Sequence, residues 1–101
     1  MSKSYTGYDA KPDANQAAIV AELRGLGFDV DLIHRLKNMY DIVVTGMPTW
    51  ADRPVAVRVE VKMPGKKLND NEAKYWSEQK HPGNLIMATC ADDVLAWFGR
   101  I

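Results

Sequence analysis

Apolar and polar residues alternate most strictly in "VAVRVEVKMPGKKL", residues 55–68. A period of two residues predicts a β-strand whose one face packs on an apolar core. Glu60 and Lys62 stand two residues apart on the opposite face. That face is either an ordinary solvated surface or part of an active site. The valines and their neighbours follow in the order Val55, Ala56, Val57, Arg58, Val59, Glu60, Val61 and Lys62.

The segment "DANQAAIVAELRGLG" carries an apolar stripe at helical spacing and predicts the first helix. Asp13 is its expected N-cap, Gln16 the capping-box partner of Asp13, and Gly27 the C-terminal stop. Gln16 lies along the apolar stripe, which ends at Leu26, so we expect its side chain to face the core.

Strands follow in "FDVDLIH", with Leu32 on its apolar face, and in "YDIVVTG". Asn69 with Glu72 forms a capping box for a second helix, and Thr89 with Asp92 forms one for a last helix closed by Gly99. Between these helices "NLIMAT" is fully apolar, which suits a buried parallel strand.

The order helix, three strands, helix, strand, helix predicts an α/β fold, a mixed central sheet flanked by helices. The crossover between the last two strands is expected to be right-handed. Residues 1–12 are expected to be a flexible N-terminal arm, and residues 13–101 a single domain.

The net charge of the 101 residues is zero, which argues against nucleic-acid binding by bulk electrostatics. Residues 34–67 nevertheless hold seven basic and three acidic side chains, a local excess of +4. This patch suits phosphate binding and equally suits a solvated face. The single Cys90, with no long apolar run and no signal peptide, predicts a cytoplasmic protein without a membrane partner.

Candidate chemistry lies at Asp41, which begins one strand, and at Glu60 and Lys62 in its hairpin neighbour. If Asp41 faces the same side, two carboxylates meet beside an ammonium, a set that suits Mg²⁺ or Mn²⁺. We expect Lys62 to orient or deprotonate an attacking water, with its pKa lowered by burial and by the metal. The alternatives are a turn role for Asp41 and a surface ion pair for Glu60 and Lys62.

An acid at the head of one strand, acid-x-Lys in the next and a capped helix after it resemble the PD-(D/E)xK nuclease superfamily. Within it, the chain is similar to small VRR-NUC-like and Holliday-junction-resolvase-like nucleases of phages and prophages. The resemblance covers residues 13–98. In the family the second helix typically begins Leu-Thr-x-x-Gln with an aromatic residue soon after. The corresponding positions here are Leu68, Glu72, Tyr75 and Trp76.

The resemblance implies a restriction-endonuclease-like core in which Asp41 and Glu60 bind Mg²⁺ or Mn²⁺. The carbonyl of Val61 would be a third ligand, Lys62 would assist the attacking water, and no organic cofactor is expected. The leading helix of the family often carries a Glu facing the site, and Gln16 stands there. Gln16 either holds a metal-bound water or only caps the helix with Asp13.

Two further residues depart from the family pattern. Glu72 replaces the usual Gln and is either an accessory residue of the site or only the capping partner of Asn69. Tyr40 replaces the proline before the first acid, which removes no ligand.

The implied function is a divalent-metal-dependent DNA endonuclease, with branched or junction DNA as a candidate substrate. A homodimer would supply two sites and a continuous positive groove. A phage or prophage origin would place it in the bacterial host cytoplasm. The alternative is a catalytically weak or inactive protein of this fold that binds DNA or a host protein, with Trp50 as a contact. The candidate DNA-binding residues are Arg58, Lys66, Lys67 and Lys74.

Overall fold

The computed structural model describes residues 13–33 and 39–101. The arm predicted for residues 1–12 lies outside the described residues. Within the described ranges the chain forms three α-helices, four β-strands and a short 3₁₀ turn at Pro82–Asn84. In chain order the elements are α1 (Gln16–Gly25), β1 (Asp29–Leu32), β2 (Ile42–Gly46), β3 (Val55–Val61), α2 (Asp70–Ser77), β4 (Leu85–Ala88) and α3 (Ala91–Trp97).

The four strands form one mixed sheet in the order β1-β2-β3-β4. β2 is antiparallel to both β1 and β3, whereas β4 runs parallel to β3. Ile42 lies opposite Val59, and Val61 lies opposite Ala88. The predicted α/β class, element order and mixed sheet are therefore confirmed.

The core contains the valine face of β3, as the alternation predicts. Val57, Val59 and Val61 are buried, and they share one apolar cluster with Leu23 of α1 and Val94 of α3. Helix α2 differs, because its only buried residue is Glu72. The side chain of Glu72 reaches the charged face of β3. Helix α2 therefore covers the face that carries Glu60.

The start of α1 differs from its prediction. The helix begins at Gln16 with Asn15 at the N-cap, and no side chain caps it. Asp13 was wrongly predicted as the cap, because its carboxylate instead accepts a hydrogen bond from the Met63 N–H at 2.9 Å. The predicted stop is correct, since Gly27 follows the helix with a φ of +95° that favours glycine.

The capping box of α2 is confirmed in both directions. The Asn69 side chain accepts from the Glu72 N–H at 2.8 Å, and the Glu72 carboxylate accepts from the Asn69 N–H at 2.9 Å. The box predicted for α3 is not formed, because α3 begins at Ala91 with Cys90 at the N-cap and no side chain caps it. There Asp93, rather than Asp92, accepts from the N–H of Thr89 at 2.9 Å.

Strand β4 is parallel as predicted, but it is the last strand in the sheet order. Met87 lies opposite Glu60, on the face away from the core valines, and is 42% exposed, so the expectation of a fully buried strand is wrong. Leu26 and Leu32, assigned to apolar faces by their spacing, are also more than one-third exposed. Periodicity identifies a face but not whether another element covers it.

The packing of β2 against Phe28, the residue before β1, can be tested by substituting Gly46. A Cβ on Gly46 would lie against the ring of Phe28, which stacks on Phe98 with ring centroids 4.9 Å apart. We expect Gly46→Ala to lower the free energy of unfolding by about 1–3 kcal/mol, as overpacking does. The measurement is urea denaturation.

Gly25→Ala is the matched control for this substitution. Gly25 is the last residue of α1, and its added Cβ would meet no atom within 4 Å. The variant should be neutral or slightly more stable, since Ala favours helix over Gly. Equal destabilisation by both changes would contradict the packing described here.

Candidate active site

Asp41 lies in the bend directly before β2 and makes two bonds to β3. Its N–H donates to the Val59 carbonyl at 2.9 Å, and its carboxylate accepts from the Val61 N–H at 2.7 Å. The carboxylate is therefore fixed beside the carboxyl end of β3. Burial raises the pKa of Asp41, and the hydrogen bond from Val61 offsets part of that rise.

Glu60 is only 4% exposed, although it lies on the polar face of β3. Its carboxyl group hydrogen-bonds the carboxylate of Asp41. Burial, followed by the negative charges of Asp41 and Glu72, raises the pKa of Glu60 to about 9. In the metal-free protein the pair therefore holds one proton at neutral pH, which the two carboxyl groups share in a hydrogen bond. The prediction that these two carboxyl groups lie together is confirmed.

The ammonium of Lys62 lies close to two acidic side chains, Glu60 and Glu72. Its Nζ lies 2.8 Å from Glu72 Oε1 and 3.7 Å from Glu60 Oε2. Burial lowers the pKa of Lys62, but the hydrogen bond and charge of Glu72, with the charge of Glu60, outweigh burial and raise it. The expected lowering of the pKa is thus wrong for the metal-free protein. Lys62 there is a hydrogen-bond donor rather than a base.

Glu72 contributes to the helix and to the site at once. The same oxygen, Oε1, accepts from the Asn69 N–H and from the Lys62 ammonium. Burial opposes ionisation, yet the bonds from Lys62 and Asn69 leave the pKa of Glu72 lowered. The capping role considered for Glu72 is therefore confirmed, and the capping carboxylate also contacts Lys62 of the candidate site.

Gln16 faces inward, as predicted, and is 7% exposed. The proposed capping role is wrong, since no side chain caps α1. Its Oε1 is buried and has no hydrogen-bond partner among the described residues. A buried acceptor without a partner is a favourable site for a water molecule, which can donate a hydrogen bond to it.

Arg58 shares a strand face with Glu60 but is engaged within the protein. Its four bonds connect β3 to α2 and to the 3₁₀ turn, so a DNA phosphate would have to compete with them. The acceptors are Gln79 Oε1 at 2.6 Å, Asn84 Oδ1 at 2.8 Å, the His81 carbonyl at 3.0 Å and the Tyr75 hydroxyl at 3.4 Å.

The three predicted DNA-contacting lysines have a different setting. Lys66 and Lys67 are exposed between β3 and α2, and Lys74 is exposed on α2. All three come after β3 in the chain. Lys66 and Lys67 belong to the loop that begins at Lys62, and Lys74 belongs to the helix that follows it.

Two residues before α1 were not predicted to contact the site. Asp13 bonds the Met63 N–H, and Asn15 donates to the carbonyls of Lys62 and Thr89 at 3.0 and 2.8 Å. Their partners lie 47 to 74 residues away in the chain. No local sequence pattern signals such contacts.

The donor set at Asp41 and Glu60 fits a hard divalent cation. Burial and the mutual repulsion of the two carboxyl groups oppose their ionisation, and a bound cation would compensate both effects. Within residues 13–33 and 39–101, no three or more His, Cys, Asp or Glu side chains are arranged to hold a metal ion. Mg²⁺ needs only one or two carboxylates with waters, so the smaller set is sufficient.

Comparison with protein-family models, with curated proteins and with solved structures found no match to this chain. Among the described helices, none combines the length and the apolar character needed to cross a bilayer.

Glu60 predicts a pH-dependent stability in the metal-free protein. Its folded-state pKa of about 9 exceeds the ordinary 4.5, so the wild type should lose stability as pH rises through that window. Glu60→Gln cannot ionise, and its amide can still donate to Asp41. We expect the variant to exceed the wild type by at least about 1 kcal/mol near the upper end of the window, measured by urea denaturation.

Exposed Glu22 of α1 supplies the matched control, because Glu22→Gln removes the same charge at the surface. That variant should follow the wild-type stability across the whole pH range. An unchanged pH dependence in Glu60→Gln would rule out Glu60 as the responsible group.

Proposed function

We propose that the protein is a Mg²⁺- or Mn²⁺-dependent DNA endonuclease of the PD-(D/E)xK type with a restriction-endonuclease-like core. The observation that carries this proposal is the contact between the Asp41 and Glu60 carboxyl groups at neighbouring strands, with the Lys62 ammonium 3.7 Å from Glu60. An acidic pair that fits a hard cation, beside a fixed ammonium, suits hydrolysis of a phosphodiester.

Asp41 and Glu60 would hold the cation, with the Val61 carbonyl as a third ligand. The Val61 N–H points to Asp41. Since the N–H and carbonyl of one strand residue face the same neighbour, the carbonyl is directed to this side as well. When bound, Mg²⁺ or Mn²⁺ supplies positive charge that polarises the phosphate and lowers the pKa of a coordinated water.

Lys62 would act as a cation that orients the attacking water or a phosphate oxygen by hydrogen bonding. Its ion pair with Glu72 keeps the ammonium charged and in place. The unpartnered Oε1 of Gln16 would accept a hydrogen bond from water in the site. Asp41, Glu60 and Lys62 are buried or half-buried around the end of β3.

DNA would be bound by basic side chains outside this acidic cluster. The exposed Lys66, Lys67 and Lys74 are the candidate phosphate contacts, and Arg58 would contribute only by exchanging protein acceptors for phosphate. A homodimer would double this surface, which is small on one chain of 101 residues. Branched or junction DNA is the proposed preferred substrate.

A second candidate function is DNA or protein binding without cleavage. The ion pair of Lys62 with Glu72 supports it, because a protein cation already balances part of the acidic charge. Trp50 is the candidate contact residue, since it is 55% exposed while its indole N–H donates to the Trp97 carbonyl at 3.0 Å. Divalent-metal-dependent cleavage distinguishes the two functions.

Lys62→Ala tests the endonuclease directly. It leaves both carboxyl groups, so Mn²⁺ should still bind, but it removes the group that orients the water. Loss of such a group typically lowers the rate by ~10²–10⁴-fold. The measurement is nicking of supercoiled and four-way-junction DNA with and without Mn²⁺, together with calorimetric titration of Mn²⁺.

Asp41→Asn and Glu60→Gln are the companion variants, and both should lose Mn²⁺ affinity as well as cleavage. Lys66→Ala is the matched lysine control, expected to weaken DNA binding without abolishing the chemical step. Undiminished nicking by Lys62→Ala would remove Lys62 from catalysis. Absence of metal-dependent nicking in the wild type would favour the binding function.

Gln16→Leu tests the buried amide. Removing an unsatisfied buried acceptor should leave stability unchanged or higher, whereas cleavage should fall if Oε1 accepts from water in the site. Gln16→Glu should raise Mn²⁺ affinity by adding a charge. Unchanged cleavage and Mn²⁺ affinity in both variants would limit Gln16 to a packing role.

A further inference from the structure

Two side chains that precede α1 hold a single peptide group at the exit of β3. The Asp13 carboxylate accepts the Met63 N–H at 2.9 Å, and the Asn15 amide donates to the Lys62 carbonyl at 3.0 Å. That N–H and that carbonyl belong to one peptide group, which joins Lys62 to Met63. Both of its polar atoms are therefore bound by residues two positions apart.

The same region is fixed from the other side by β4. The Lys62 N–H donates to the Ala88 carbonyl at 3.0 Å, and the Asn15 amide nitrogen also reaches the Thr89 carbonyl at 2.8 Å. β3 ends at Val61 and β4 ends at Ala88. Asn15 thus joins two parallel strands just where their own pairing stops.

Asn15 makes these bonds instead of capping its own helix. Asparagine at an N-cap usually accepts a hydrogen bond from an N–H of the first helical turn. Here the side chain makes no cap bond, and its Oδ1 is buried without a partner among the described residues. Its donor nitrogen is directed to the strand ends, so the contacts it makes are those around Lys62.

We infer that Asp13 and Asn15 are positioning residues that set where the Lys62 ammonium lies relative to Glu60 and Glu72. The Lys62 Cα lies between an N–H bound to β4 and a carbonyl bound to Asn15. A shift of this backbone moves Nζ away from its 2.8 Å contact with Glu72. The consequence for catalysis rests on the endonuclease proposed above; the consequence for the position of Lys62 does not.

The variant that isolates this role is Asn15→Ser. Serine is a strong N-cap, so α1 is retained, but its short hydroxyl cannot replace an amide that reaches two carbonyls. Asp13→Ala removes the bond to Met63, and Asp13→Asn is its matched control, since it keeps an acceptor oxygen without the charge. Gly46→Ala serves as the control for general destabilisation, because it lies at the opposite end of the β2–β3 ladder.

The first readout needs no activity. Metal-free protein is treated with an acetylating N-hydroxysuccinimide ester, and the modification rate of each lysine is followed by mass spectrometry. In the wild type the half-buried, ion-paired Lys62 should react more slowly than the exposed Lys66 and Lys67. Asn15→Ser and Asp13→Ala should raise the Lys62 rate several-fold with Lys66 unchanged, whereas Asp13→Asn and Gly46→Ala should not.

The second readout is cleavage with saturating Mn²⁺ and DNA. Misplacement of a catalytic group by about 1 Å can cost ~10²-fold, so kcat should fall to that extent in Asn15→Ser while KM and Mn²⁺ affinity stay unchanged. A wild-type Lys62 rate in folded Asn15→Ser and Asp13→Ala would overturn the inference. The expected acetylation pattern in a wild type that never cleaves would uphold it and reject the endonuclease.

Discussion

The hydrogen bond from the Val61 N–H to the Asp41 carboxylate determines where the candidate site lies. β2 begins at Ile42, which pairs with Val59, so no residue of β2 lies opposite Val61. Asp41 directly precedes the strand. Its side chain supplies the acceptor there and extends the pairing of the two strands beyond their last backbone bond. The carboxylate is thereby brought beside Glu60, and two acids 19 positions apart in the chain meet at one point.

This contact creates an electrostatic problem that the neighbouring groups resolve. Two adjacent carboxylates cannot both ionise in a buried place without a compensating charge. In the metal-free protein a proton shared by Asp41 and Glu60, together with the ammonium of Lys62, provides that compensation. A divalent cation would replace the proton, which links the proposed cofactor to the same imbalance that raises the pKa of Glu60.

Features set by neighbouring residues in the chain were predictable from the sequence. The alternation in β3, the capping box of Asn69 with Glu72 and the stop at Gly27 each depend on local geometry. The convergence of Asp41 with Glu60 followed from one hairpin between β2 and β3.

Features set by packing between distant elements were not predictable. The burial of Glu60 depends on α2 lying over its face. Arg58 is occupied by acceptors in α2, just after α2 and in the 3₁₀ turn. Asp13 and Asn15 find partners on β3 and β4 rather than on α1. A residue that satisfies a local capping rule can therefore be diverted when a stronger set of partners is brought close by the fold.

Lys62 is the residue at which the separate parts of the domain meet. Its N–H is bound by β4, its carbonyl by Asn15 ahead of α1, and its ammonium by Glu72 of α2. A lysine in an exposed ion pair keeps most of its rotational freedom and gains little from the pair. Lys62 is instead restrained at its backbone and at its charged end, so its ammonium occupies a defined place beside Glu60. Such restraint costs conformational entropy, and it is useful where a charge must be held ready for a ligand.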